Sequence, residues 1–253
     1  FLLRVRNELH FRSKRPVDVL HLEKQPEVAQ GLGYPEEDIF RRVESFMGDY
    51  YSKARTINQL SSILEQRLVN DRAGSTSSLS FSSVLRSYRS SLVEKMDGFE
   101  LREDQLSASD PSVFDEDPER MIRLFRHAQR HACSLSPDLR SLVRNRLSLI
   151  DSTLINSSSA NVTFRSIMQE IGNVSSTLCE MHELGVLGRF VPEFGRLTCK
   201  VQHDLYHRFT ADIHVLHCIT VLDEIFQGKN ESAPHYLEAL RKNEVPGLLY
   251  LIL

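Results

Sequence analysis

Between Gln202 and His214 the chain reads QHDLYHRFTADIH, with three histidines and two aspartates in 13 residues. Imidazole and carboxylate are donors for divalent cations, and an ion so held turns water into a nucleophile for phosphoester hydrolysis. The adjacent pair His203-Asp204 is the most conspicuous part. Neighbouring side chains on a helix point about 100° apart, so such a pair ligates a metal only with further donors from other helices. By itself, in a chain with 10 histidines, the dipeptide is a chance occurrence.

Other constellations are weaker. Gly74-Ser75 with Asp115-Glu116-Asp117 has the ingredients of a nucleotidyltransferase site, in which two carboxylates hold Mg²⁺ against a nucleoside triphosphate. That chemistry needs the acids on a rigid strand close after the turn. Here the triplet follows some 40 residues later and stands where a helix begins, so it reads as a helix cap. His127 and His131 share a helix face at i and i+4, but no HExxH glutamate lies between them and Arg126 and Arg130 flank them. A solvated face is the simpler reading. His214 and His217, at i and i+3, sit among Val215, Leu216 and Ile219, where a hydrogen-bonded histidine is commoner than a ligand.

The elements that must position these residues are helical. From Ile39 to Leu68, Phe40, Val43, Phe46, Met47, Tyr50, Tyr51, Ala54, Ile57, Leu60, Ile63 and Leu64 recur at steps of three and four, predicting one long helix with a wide apolar stripe. Leu2, Val5 and Leu9 predict a helix at the start, and Pro26 to Leu32 a short one stopped by Gly33. Asn70 to Ser83 is rich in Ser and Gly and reads as a connection. Phe99-Glu100-Leu101-Arg102 has strand character, without an evident partner nearby. Asp117-Pro118 and Ser136-Pro137 are helix starts, with a cap before a first-turn proline. A polar break at Ser157-Ser158-Ser159 precedes a helix from Val162 to Ile171. A further helix from Val174 to Leu184 stops at Gly185, GVLGRFVPEFG (185–195) reads as a turn-rich connector, and the last clear helix runs from Asp212 to Phe226. The predicted fold class is all-α: a multi-helix bundle region. Its predicted divisions are 1–69, a connection over 70–116, a helical connector over 117–200, and 201–253.

The 253 residues suffice for one large or two smaller domains. A net charge of −3 gives no electrostatic reason to expect nucleic acid or an anionic membrane as partner. No apolar run approaches the length of a membrane span, the stretch Val245 to Leu253 included. Cys133, Cys179, Cys199 and Cys218 form no CxxC pair, which predicts reduced, mostly buried thiols and a cytoplasmic setting. The abrupt start at Phe1-Leu2-Leu3 and the apolar end at Leu253 read as an excerpt of a longer polypeptide.

Several of these residues carry a family resemblance. Phe1 to His10, then Gln25, Val28-Ala29 and Leu32-Gly33-Tyr34, resemble the helical middle region of the bifunctional uridylyltransferase/uridylyl-removing enzymes of the PII signal protein. Phe46-Met47, Tyr50-Tyr51 and Ala54-Arg55 resemble that family's long helix. Glu183 to Gly195 is the most specific mark, continued by Val201-Gln202, Asp204 to His207, Thr210, Asp212 and His214. The likeness runs nearly end to end and is weakest over about 70–115.

The resemblance implies a parent with a nucleotidyltransferase domain that attaches UMP from UTP to a tyrosine of PII. It also implies an HD-type hydrolase domain that removes the UMP, and modules that respond to glutamine. Residues 201–253 would be the N-terminal part of the HD domain. His214 would be the first ligand of its Mg²⁺ or Mn²⁺ site, the HD dipeptide following after the apolar helix Leu248–Leu253. His203-Asp204, upstream of that ligand, would have no part in it. Ile213 stands where the family often has an acidic residue. With a single ligand, no catalytic residue and no cofactor-binding residue of its own, the chain is expected to be inactive alone and to bind no metal stably. A non-catalytic helical scaffold and the related adenylyltransferase of glutamine synthetase are the alternatives.

Overall fold

The computed structural model describes residues 1–75, 93–102, 104–201, 209–230 and 247–253, with single positions at 236, 238 and 240. Among them the fold is mainly helical, as the periodicity predicts, with one small sheet. The chain divides into two compact units, Phe1–Ser62 with Arg196–His214, and Ile63–Gly195 with Val215–Leu253.

The first unit is built from α1 (Leu2–Ser13), α2 (Gln25–Gly31) and the start of α3 (Ile39–Ser75). Val5 and Leu9 of α1, Val28 and Ala29 of α2, and Val43, Phe46 and Met47 of α3 form its core. Asp38 starts α3, its Oδ1 accepting from the Arg41 amide at 2.9 Å. Tyr34 stands edge-on to Phe46, with ring centroids 5.6 Å apart, and its hydroxyl donates to Asp49 at 2.7 Å. The apolar stripe of α3 is buried only in its first turns. Ile57, Leu60, Leu64 and Leu68 are all more than half exposed. The helix also runs through Asn70 to Ser75, where composition predicts a connection; the rest of that connection, through Ser83, lies outside the described residues.

In the second unit, residues 94–116 are ordered elements of the core rather than a loop. Strands β1 (Glu94–Met96), β2 (Phe99–Arg102) and β3 (Gln105–Ala108) form an antiparallel meander, and β4 (Ser134–Leu135) joins β3 in parallel, pairing Leu106 with Leu135. Phe99–Arg102 therefore has the partners that its sequence surroundings did not suggest. The hairpin turn is Asp97-Gly98, both at positive φ (50° and 84°). This pair matches the right-handed strand twist in a two-residue loop.

The sheet's Phe99 and Leu106 pack with Val113 and Phe114 of α4 (Val113–Glu116) against α5 (Arg120–His131). Met121, Ile122, Leu124 and Phe125 of α5 are fully buried. Helix α6 (Pro137–Asn145) starts as predicted, with the Ser136 hydroxyl accepting from the Leu139 amide at 3.2 Å. Asp151 caps α7 (Ser152–Ile155) through the Thr153 and Leu154 amides. Ser157, in the predicted polar break, caps α8 (Ser158–Met168). Helix α9 (Ser175–Glu183) closes at Gly185, where the Val186 amide donates to Met181 O and the Gly185 amide to His182 O, a Schellman arrangement.

The connector over 185–195 folds into two helical turns, α10 (Leu187–Phe190) and α11 (Pro192–Gly195). Val186, Leu187 and Phe190 anchor it in the core. Gly195 approaches Gly188 so closely that a Cβ added there would lie 2.2 Å from the Gly188 carbonyl oxygen. That contact accounts for the glycine at 195.

A buried carboxylate closes the second unit. Asp223 of α12 (Ala211–Phe226) is 4% exposed, and its Oδ2 accepts from the Val174 and Ser175 amides at the start of α9 (2.9 and 2.7 Å). Its Oδ1 accepts from the Tyr250 hydroxyl of α13 (Gly247–Ile252) at 2.6 Å, and that hydroxyl accepts from the Gly172 amide at 3.0 Å. Asp223→Ala leaves three buried donors without their acceptor and should cost about 3 kcal/mol. Tyr250→Phe should cost about 1–2 kcal/mol, since it removes one buried hydroxyl and leaves one amide unpaired. Urea unfolding of both variants measures this, and a larger loss for Tyr250→Phe than for Asp223→Ala would contradict the assignment of the carboxylate as the hub.

Candidate functional site

The predicted ligand His214 lies in the first turn of α12, its amide donating to Thr210 O at 2.9 Å. The buried row of this helix is Leu216, Ile219 and Leu222. His214 and His217 both stand on its exposed side, as does Ile213. The turn is held from below. Thr210 and Asp212 are buried at 7% and 1% exposure. Asp212 Oδ2 accepts from the Cys199 amide at 3.1 Å, and the Ala211 amide donates to Lys200 O at 2.9 Å. Cys199 is itself at positive φ (57°). Asp212 Oδ2 therefore binds backbone, while His214 is exposed. His203, Asp204 and His207 lie outside the described residues.

Among the described residues no group of three or more His, Cys, Asp or Glu side chains could hold a metal ion. One imidazole does not retain a divalent cation against water, since stable protein sites use three or four ligands. The described donor set therefore does not fit a metal centre, and no hydrolytic step is derived through one here.

The acidic triplet at 115–117 pairs with arginines. Asp115 accepts from Arg146 at 3.0 Å, Glu116 from Arg120 at 3.0 Å, and Asp117 from Arg123 at 2.6 Å. Asp117 also accepts from the Glu119 amide, the capping role its position predicts. Gly74-Ser75 lies in the last described turn of α3.

His127 departs from the solvated-face reading. Its Nε2 lies 3.3 Å from Asp97 Oδ2, while His131 is exposed as predicted. Arg123 holds Asp97 with Nε at 2.6 Å and Nη2 at 3.0 Å, and Arg120 adds a bond at 3.3 Å. This cluster joins the β1–β2 turn to α5. It was missed because the one signal for it, Asp-Gly between two strand-like stretches, was not read as a hairpin. The four cysteines form no disulfide and are only partly buried, where the sequence predicts mostly buried thiols. Burial pushes the Cys133, Cys179 and Cys199 thiols up, away from the reactive thiolate form.

Comparison with known proteins identifies the chain. Residues 1–65 match a family model described as GlnD PII-uridylyltransferase, and residues 99–190 match one described as uridylyltransferase GlnD third domain. The bifunctional uridylyltransferase/uridylyl-removing enzymes of Rhodopseudomonas palustris and Bradyrhizobium sp. (strain ORS 278) are each 33% identical over 244 residues, which is 96% of this chain. The chain spans about a quarter (26%) of the length of these relatives. The fold and these matches define a mainly helical region of a nucleotidyltransferase family. Within that class, the chain belongs to the bifunctional uridylyltransferase/uridylyl-removing enzyme family. No helix among the described residues is long and apolar enough to cross a membrane.

Asp97 carries a pH dependence. Burial raises its pKa, but the bonds and charge of Arg123, with His127 and Arg120, outweigh that and hold it below the ordinary aspartate value of 3.8. A carboxylate lowered in this way stabilises the fold above its unfolded pKa, and the contribution is lost as pH falls through the folded value. Between about pH 5 and about pH 2.5 the urea midpoint of Asp97→Asn should therefore fall less than that of the natural chain. Parallel midpoint curves would remove Asp97 from the acid response.

Proposed function

We propose that this chain is the helical region of a PII uridylyltransferase/uridylyl-removing enzyme, and that residues 201–253 open its HD-type hydrolase domain. The parent attaches UMP from UTP to a PII tyrosine, removes it by hydrolysis, and responds to glutamine through other domains, all in the cytoplasm. The observation that carries the reading is the opening turn of α12. Its buried residues Thr210 and Asp212 are fixed to the preceding backbone, and its imidazole, His214, faces outward.

That arrangement suits a first metal ligand. The buried carboxylate fixes the turn, the helix fixes the direction of the imidazole, and the exposed side leaves room for donors from elsewhere in the parent. In the parent, a Mg²⁺ or Mn²⁺ held by His214 together with further ligands would supply Lewis-acid polarisation of water for hydrolysis of the UMP–tyrosine phosphodiester. We assign the remaining ligands and the nucleotidyltransferase centre to other parts of the parent, since the chain spans about a quarter of its relatives' length. A purely scaffolding role is the second reading, favoured by the exposed row Ile57, Leu60, Leu64 and Leu68 on α3.

In the full-length parent, His214→Ala should abolish UMP removal and leave UMP transfer within about twofold of the unmodified enzyme. Separate assays of the two reactions on the same preparation decide it. Equal loss of both would assign the histidine to folding and favour the scaffold. The isolated 253-residue chain should neither add nor remove UMP, and release of UMP by the purified chain with Mn²⁺ would overturn this assignment of the ligands.

A further inference from the structure

The second unit contains a cavity of about 410 Å³, lined by Phe125, Ala128 and Gln129 of α5, Cys133 of the following turn, and Thr177 and Glu180 of α9, among others. A space of this size is in the range of small-molecule sites. Its walls are fixed. Gln129 is buried, donating to Ile167 O at 3.2 Å and Asn173 O at 2.7 Å and accepting from Arg126 at 2.7 Å.

The electrostatics select the sign of a ligand. No Lys or Arg is among the lining residues. The C-terminal end of α5 forms one wall, and a helix C-terminus carries partial negative charge. The opposite wall begins near the N-terminus of α9, which would attract an anion. Its Val174 and Ser175 amides, however, are already taken by Asp223. That leaves Glu180 as the charged group on the cavity. Arg140 lies 3.4 Å from it and makes a shorter bond of 3.0 Å to Glu183. The Glu180 carboxylate is thus half-buried with loose compensation. Burial raises its pKa and Glu183 adds to this, against the opposing charges of Arg140 and Arg144.

We propose that this cavity binds a small organic cation, a primary ammonium on a short apolar stem, with the ammonium at Glu180 and the stem against Phe125 and Ala128. An ammonium would supply the charge-assisted hydrogen bonds that Arg140 gives poorly. A phosphate or a simple carboxylate would meet the Glu180 carboxylate with no Lys or Arg among the lining residues. The proposal stands apart from the metal reading of His214 and does not rest on it.

The test is titration of phenethylammonium into the ¹⁵N-labelled chain, with 3-phenylpropionate as the probe of opposite charge. The ammonium should shift the amides of Ala128, Cys133, Ser176 and Glu180, and the carboxylate should not. Glu180→Gln should weaken the ammonium by about tenfold or more. Ser176→Phe, which places a ring at an exposed lining position, should weaken it without removing charge. Equal affinity for both probes, shifts centred elsewhere, or full binding by both variants overturns the proposal. If Glu180→Gln loses its dispersed spectrum, Ser176→Phe decides alone, and undiminished binding by it overturns the proposal.

Discussion

The second unit depends on one buried carboxylate. Asp223 gathers three stretches distant in sequence: the turn at 172–175, its own helix α12, and Tyr250 of α13. A buried charge is tolerable only when hydrogen-bonded, and the start of a helix is the place where an anion is stabilised rather than penalised. Asp223 meets both conditions, and Tyr250 completes its shell while accepting from Gly172. The surrounding apolar contacts of Leu216, Ile219 and Leu222 bring α12 to this place. They supply the burial, and the carboxylate supplies the register, because an apolar face alone tolerates sliding that a three-donor site does not.

The same division of labour recurs in 185–195 and 209–214. In 185–195 the glycines permit backbone approach, with Gly195 against the Gly188 carbonyl, while Val186, Leu187 and Phe190 anchor the turns. In 209–214 the polar residues Thr210 and Asp212 are the buried ones and the outward imidazole is the exception. A stretch rich in His and Asp is therefore not automatically a site. Most of its described polar groups build the turn, and one faces away from it.

Much of this architecture was legible in the sequence, and the misses have physical reasons. Helix starts at Ser136-Pro137 and the stop at Gly185 were readable because caps are local chemistry, settled within four residues. The burial of α3 was overread because periodicity reports that an apolar face exists and says nothing of what covers it; Val43 and Phe46 are covered, Leu60 and Leu64 are not. The sheet is not legible because its first three strands are only three or four residues long and their one hairpin signal is Asp97-Gly98, while its fourth strand, Ser134–Leu135, lies 26 residues beyond the end of β3. His127 was read as solvated since its partner Asp97 is 30 positions away. For the candidate site, the exposure of His214 was not legible, since its neighbours Val215, Leu216 and Ile219 are apolar and point to a buried histidine. Nor was the inward role of Asp212, because its acceptor role depends on a Cys199 turn at positive φ.

The arginines explain why this region suits a connecting role better than a phosphate-binding one. Arg120, Arg123, Arg126, Arg140 and Arg146 each meet a carboxylate within 3.0 Å. Their positive charge is taken up in joining elements: α5 to the β1–β2 turn through Asp97, α5 to the end of α8 through Glu170, and the residue closing α6 to α4 through Asp115. The N-terminal amides of α9, the other natural anion site, are taken up by Asp223. A UTP-handling surface needs cations and amides facing solvent, and here these groups face inward. What the second unit leaves to solvent around its cavity is the opposite sign: a helix C-terminus and the loosely paired Glu180. Among the described residues of the second unit, these arginines and amides are thus engaged in joining elements.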